Sequence, residues 1–301
     1  MIHEFALDPG LLDDWERFRY LTEKFSVCQG RLISRYPKRW KAMVYEAASE
    51  ASDIERKRIE VRLQGIDDKM LPRTHQWDGN QGWLVNAECE HGRQPFHAII
   101  AHTNPQDHDW ILACDDLDEV TPRWAIERER IVSRDAAALA AAVSPIVRAA
   151  KSVIFIDPHF DPYKARVRNT LKAFLEACFP RRVGLAMERV EFHTAFKPEV
   201  IDFVKECQRQ LPQRIPTGVS LRIVRWRERV GGEGLHNRYI LTERGGVRLA
   251  WGLDEGGHAQ TDDLSLLEPT LYGARWGQYC SEQPAFDFVD DLVVVGTRVL
   301  P

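Results

Sequence analysis

The 301-residue chain has no apolar run of about 18 residues, so no transmembrane helix is expected. Its six cysteines, Cys28, Cys89, Cys114, Cys178, Cys207 and Cys280, form no CxxC pair. That scatter argues against a disulfide framework and suits a reducing, cytoplasmic setting. Neither sign of charge dominates: the net charge is −4, so any nucleic-acid partner has to be met by a local basic patch. The opening MIHEFALDPGLLDDWERF lacks a basic stretch followed by an apolar one, and no secretory signal is expected. There is no Walker loop, GxGxxG, GxSxG or HExxH. Nucleotide hydrolysis, serine-hydrolase chemistry and metalloprotease chemistry are therefore disfavoured. Internal repeats and low-complexity tracts are missing too.

With 44% hydrophobic and 29% charged residues, the chain has the composition of a globular protein in two parts, 1–129 and 130–301. Residues 10–67 read as helices, because Trp15, Phe18, Leu21 and Phe25 recur at helical spacing. Between about 68 and 115 the stretches GWLVNAE, FHAIIAH and DWILAC read as short strands, making the first part α+β. From about 130 the pattern alternates. SRDAAALAAAVSPIVRAA predicts a helix kinked or broken at its interior proline. SVIFIDPHF predicts a strand buried on both faces, YKARVRNTLKAFLEACF a helix, RVEFHTAF a strand and PEVIDFVKECQRQL a helix. SLRIVRW, RYILTE and VRLAWG complete a set of five strands. A mixed α/β sheet with helices on both faces is the expected architecture.

The stretch HNRYILTERGGVRLAWGLD, from His236 to Asp254, carries the strongest chemical signal. A strand running on from His236 would place His236 and Arg238 on one face. A guanidinium can hold phosphate oxygens bidentately, and an imidazole can attack phosphorus or move a proton. The pair alone says little, since ten histidines among 41 Lys and Arg give about one such pair by chance, and His91 with Arg93 is another. The longer spacing says more. It resembles the phospholipase D superfamily motif H-x-K-x4-D-x6-G-S-x2-N, with His236, Arg238, Glu243 and Asp254 at the His, Lys, Asp and Asn positions. Ala250 and Trp251 replace its Gly-Ser. The wording looks closer to the divergent branch typified by the C-terminal domain of microtubule-interacting-and-trafficking proteins, whose members are regarded as non-catalytic. Similar sequences accompany bacterial defence ATPases or nucleases.

The resemblance covers about residues 130–301 and implies a phospholipase D-like sheet that recognises nucleic-acid phosphodiesters. Two versions follow from it. In the catalytic one, His236 attacks phosphorus, Arg238 neutralises the phosphate, and Glu243 and Asp254 orient the basic residues. The family uses two such histidines, so this single copy implies a homodimer and needs no metal or other cofactor. In the other version the domain is an adaptor that binds phosphate, membrane or a partner chain, including other defence proteins, without turnover.

Further candidates surround this core. Arg222, Arg225, Arg227 and Arg229 could form a positive rim for a nucleic-acid backbone, or protect an edge strand. Asp157, His159 and Asp161 end a buried strand, where α/β sheets collect ligands, and His193 ends another; turn chemistry explains Asp-Pro equally well. In RLISRYPKRWK, residues 31–41, Arg35, Lys38 and Arg39 interleave with Tyr36 and Trp40, a pattern for phosphates and bases or for an ordinary solvated face. Cys89, His91, His97, His102, His108 and Cys114 fit no compact zinc signature, and no metal is expected.

Overall fold

The protein, seen in a computed structural model that describes residues 1–300, divides into two units. The first comprises Met1–Arg128 with Arg182–Gly184, and the second Glu129–Arg181 with residues from 185 onward.

In the first unit, β1 (His3–Leu7), α1 (Trp15–Glu23), β2 (Arg31–Ser34), α2 (Trp40–Ala47), α3 (Asp53–Gln64) and β3 (Met70–Leu71) are followed by α4 (Trp83–Arg93), β4 (Ala98–Ala101) and β5 (Ile111–Ala113). The five strands form one sheet in the order β3-β2-β1-β4-β5, with every neighbouring pair parallel. Phe5, Ile33, Ala98 and Ile100 pack with Phe18, Val44 and Ile59 on one face, while Ala6, Ile99 and Ile111 pack with Trp83 and Ala87 on the other. Burial on both faces explains the short, nearly all-apolar strands. The α+β expectation is thus corrected to a parallel α/β sheet. Two local readings fall with it. HEFAL and RLIS are strands inside or beside a stretch read as helical, and GWLVNAE lies in α4. Trp83, Asn86, Ala87 and Glu90 bury one helical stripe there, a period that seven residues cannot separate from a strand.

In the second unit, β6 (Glu129–Ser133), α5 (Ala136–Arg148), β7 (Ser152–Ile156), α6 (Ala165–Ala177), β8 (Arg189–Ala195), α7 (Phe203–Gln210) and β9 (Ser220–Arg227) lead to β10 (Tyr239–Thr242), β11 (Gly245–Leu249), β12 (Thr261–Leu266), α8 (Pro269–Cys280) and β13 (Asp287–Val295). The sheet has eight strands in the order β13-β9-β8-β7-β10-β11-β12-β6. Strands β7, β8 and β9 run parallel; the other pairings are antiparallel. Phe155 stacks on Phe174 of α6, whereas Ile154 and Ile156 share a core with Tyr279 of α8. Alternation along β7 therefore puts helices on both faces, as expected. Helix α5 begins at an Asp135 cap and runs unbroken through Pro145. Both Pro145 and Ala141, whose carbonyl loses its donor, lie on the exposed side, where water can answer it.

Candidate functional site

Strand β7 is the centre of the eight-stranded sheet, and its carboxyl end opens into a cleft of about 310 Å³. Its polar lining is Arg134, Asp157, His159, Lys164, Arg166, Arg238 and Asp254, with Trp251 at its side. Four cations face two carboxylates, leaving two positive charges in excess.

The groups converge from several elements. Arg134 follows β6, Asp157 and His159 follow β7, Arg166 lies in the first turn of α6, and Arg238 precedes β10. Asp254 bridges two of the cations: Arg134 Nη2 donates to Oδ1 at 2.7 Å and Arg166 Nε to Oδ2 at 2.9 Å. Asp157 is buried and accepts the backbone N–H of His159 and of Leu253, both at 2.8 Å. Arg238 Nε lies 4.0 Å from its Oδ1, too far for a hydrogen bond. Among the described residues, neither that Nε nor the Nε of Arg134 has a hydrogen-bond partner, though both atoms are buried. The Arg134 side chain is only 10% exposed. Buried donors left unanswered are costly, and a ligand oxygen would relieve them. Burial and the neighbouring Lys197 lower the His159 pKa below its ordinary value. Lys197 Nζ lies 3.3 Å from His159 Nδ1; if the ammonium donates there, the neutral ring carries its proton on Nε2.

The peptide from 250 to 254 is pinned by carboxylates. Buried Asp262, on β12, accepts from Ala250 N at 2.9 Å and Trp251 N at 3.1 Å through one oxygen. Asp157 takes Leu253 N just beyond. Between them, a Cβ on Gly252 would fall 3.0 Å from Asp254 Oδ1 and 3.3 Å from Asp157 Oδ2, so the backbone passes too close for a side chain.

Of the residues singled out in the sequence, Asp157, His159, Arg238 and Asp254 meet here. His236 does not line the cleft. It is exposed in the connection before β10, which begins only at Tyr239, so the shared strand face is not formed. Glu243 lies at the other end of β10, accepting the backbone N–H groups of Lys151 and Ser152 at 2.8 and 2.9 Å. Asp161, an ion-pair partner of Lys164, stands beside the cleft without lining it. His193 belongs to the core under α8: Trp226 Nε1 donates to its Nδ1 at 3.0 Å, and its Nε2 faces Glu191 at 2.7 Å.

The arginine rim of β9 is largely neutralised. Arg222 pairs with Asp291 and Glu191, Arg225 with Asp290, and Arg229 with Asp287 at 2.8 Å. Exposed Arg227 lies over the Phe196 ring. The three aspartates sit on β13, an edge strand, and Glu191 on β8; β9 lies between the two. In the basic stretch of the first unit, Trp40 is fully buried and donates to Leu7 O at 2.7 Å, and Tyr36 is fully buried as well, so neither ring can stack on a base. Arg39 pairs with Glu46, Arg35 reaches Lys38 O, and the Lys38 side chain is exposed. His91 and His108 stack against Trp110.

Arg134, Lys164, Arg166, Trp251 and Asp262 were missed by sequence reasoning. Arg134 lies 120 residues from the Asp254 it pairs with, and no local spacing announces such a pair.

No family model and no curated protein matches the chain. Among solved structures, TrmBL2, an archaeal chromatin protein whose structure shows a novel mode of DNA binding, is similar over 57% of this chain and 57% of its own, at 10% identity and a TM-score of 0.26. The chain thus spans 57% of that neighbour's length. A TM-score of this size does not reach a shared fold.

Proposed function

We propose that the second unit is a divergent phospholipase D-like module whose cleft binds the phosphodiester of a nucleic acid without cleaving it. The observation that carries this is the pair of buried, unpartnered guanidinium nitrogens on Arg134 and Arg238, in a cleft with an excess of positive charge. Such groups match phosphate oxygens in charge and geometry. Binding is favoured over hydrolysis by the placement of His236 outside the lining and of Glu243 at the far end of β10. An adaptor role, in a defence assembly or elsewhere, accords with that separation.

The test is a titration of a fluorescent oligonucleotide against the protein and two variants. Arg238→Ala should weaken binding about tenfold and reduce the slope of log affinity against log salt by roughly one, since one phosphate contact is lost. His236→Ala should leave both unchanged. Equal affinity and slope in Arg238→Ala would overturn the phosphate assignment. Product formation that is lost in a folded His236→Ala protein would restore the catalytic version.

A further inference from the structure

Trp251 is the single exposed tryptophan of nine, at 66%, and it lines the cation-rich cleft. Its flanks, Leu249 and Leu253, are buried, so the chain turns the largest apolar side chain of this segment outward and the smaller ones inward. A solitary exposed indole on an irregular surface loop needs no special account. This one is different in two respects. Its backbone is pinned on both sides, by Asp262 at Ala250 and Trp251 and by Asp157 at Leu253. Its ring has the Arg134 guanidinium over it, 5.7 Å from the centroid, and that same guanidinium carries one of the unanswered nitrogens. An aromatic surface on a pinned backbone therefore adjoins the group proposed to meet a phosphate.

Resting on the phosphate assignment above, we infer that Trp251 is a base-stacking platform and that the cleft takes single-stranded nucleic acid. The phosphate enters among Arg134, Arg166 and Arg238, and an adjacent unpaired base lies on the indole. Every nucleobase offers a π-face, so the contact tolerates any sequence. Within a duplex the bases are stacked on one another, and none but the terminal pair can meet the ring without being unpaired. Inorganic phosphate and a lipid headgroup offer the anion but no flat aromatic partner. The clamped peptide matters here because a backbone that is already ordered leaves only the side chain's freedom to lose when the base arrives.

The experiment compares three probes of equal length: single-stranded oligo-dT, the same backbone with abasic sites, and a blunt duplex. Each is titrated with the full chain and with Trp251→Ala, Trp251→Phe and Arg238→Ala. Trp251→Ala should lose about tenfold in affinity for oligo-dT, as removal of one stacked base contact does, and nothing for the abasic strand. Trp251→Phe should recover most of the loss. Arg238→Ala should weaken oligo-dT and abasic strand alike, which separates the two claims. If Trp251→Ala binds oligo-dT as tightly as the parent while Arg238→Ala does not, stacking is overturned and the phosphate site stands. If Arg238→Ala is silent on both strands, the phosphate assignment falls and the stacking inference with it. Tighter binding to the duplex than to oligo-dT, or to phosphatidylglycerol vesicles than to any oligonucleotide, would also overturn the inference. Thermal melting of each variant accompanies the titrations; the exposed position of Trp251 predicts an unchanged midpoint.

Discussion

At the residue scale, the carboxylates of the cleft do two jobs at once. Asp157 fixes backbone and stands near Arg238, while Asp254 holds Arg134 and Arg166 together although like charges repel. Gly252 sits between them for want of room, and no left-handed backbone is involved. Gly252→Ala should therefore push at least one carboxylate away from its arginine. The expected outcome is a loss of about 1–2 kcal/mol in stability, the range for overpacking, with a several-fold drop in oligonucleotide affinity. Denaturant melts and the same titration check it; a variant that melts and binds like the parent would mean the two carboxylates shift freely.

At the element scale, β10 shows why part of the site was legible and part was not. Its motif spacing can be read off the sequence, but five residues along a strand span roughly 16 Å. Arg238 and Glu243 consequently serve opposite ends of one beam. Glu243→Ala should destabilise the domain by about 0.5–1.5 kcal/mol, because two exposed N–H groups at the start of β7 exchange a carboxylate acceptor for water. Oligonucleotide affinity, measured on the folded variant, should not change. Strand β7 was legible because burial on both sides leaves it continuous and apolar, and β8 and β9 because apolar residues such as Val190 and Phe192, or Leu221 and Ile223, recur at strand spacing between their charged ones. Strands β12 and β13, TDDLSL and DFVDDLVVV, were not legible, because paired aspartates break the apolar pattern and their partners lie far off in the chain: Asp262 on the Ala250 and Trp251 amides, Asp290 on Arg225. The buried pair on β8 adds an acid sensitivity. Burial alone would raise the Glu191 pKa, but the hydrogen bonds of His193 and Arg189 override it and hold the group at about 2, against an ordinary 4.5. Burial lowers the His193 pKa, with Glu191 opposing. Glu191 thus contributes stability in full above about pH 4.5 and loses it as pH falls toward 2, and neutral His193 loses its share as pH drops below about 6.5. Calorimetry between pH 2 and 8 should show a melting temperature falling on the acid side, with the lowest part of the slope flattened in Glu191→Gln.

At the scale of the whole molecule, an overall charge of −4 coexists with a cleft of excess positive charge. Long-range attraction to a polyanion is thus weak, and recognition depends on contacts within about 10 Å, the screening length near 0.1 M salt. The second unit's sheet is also open, and β13 is one of its two edges. The first half of that strand carries Asp287, Asp290 and Asp291, each matched to an arginine. Beyond them Val293 and Val295 stand exposed with no charge among them. Unpaired strand edges that are flat and apolar recruit strands from other molecules. The aspartates that neutralise β9 therefore also keep the first half of this open edge charged, which disfavours strand addition there, whereas the exposed Val293 and Val295 leave its second half without that protection.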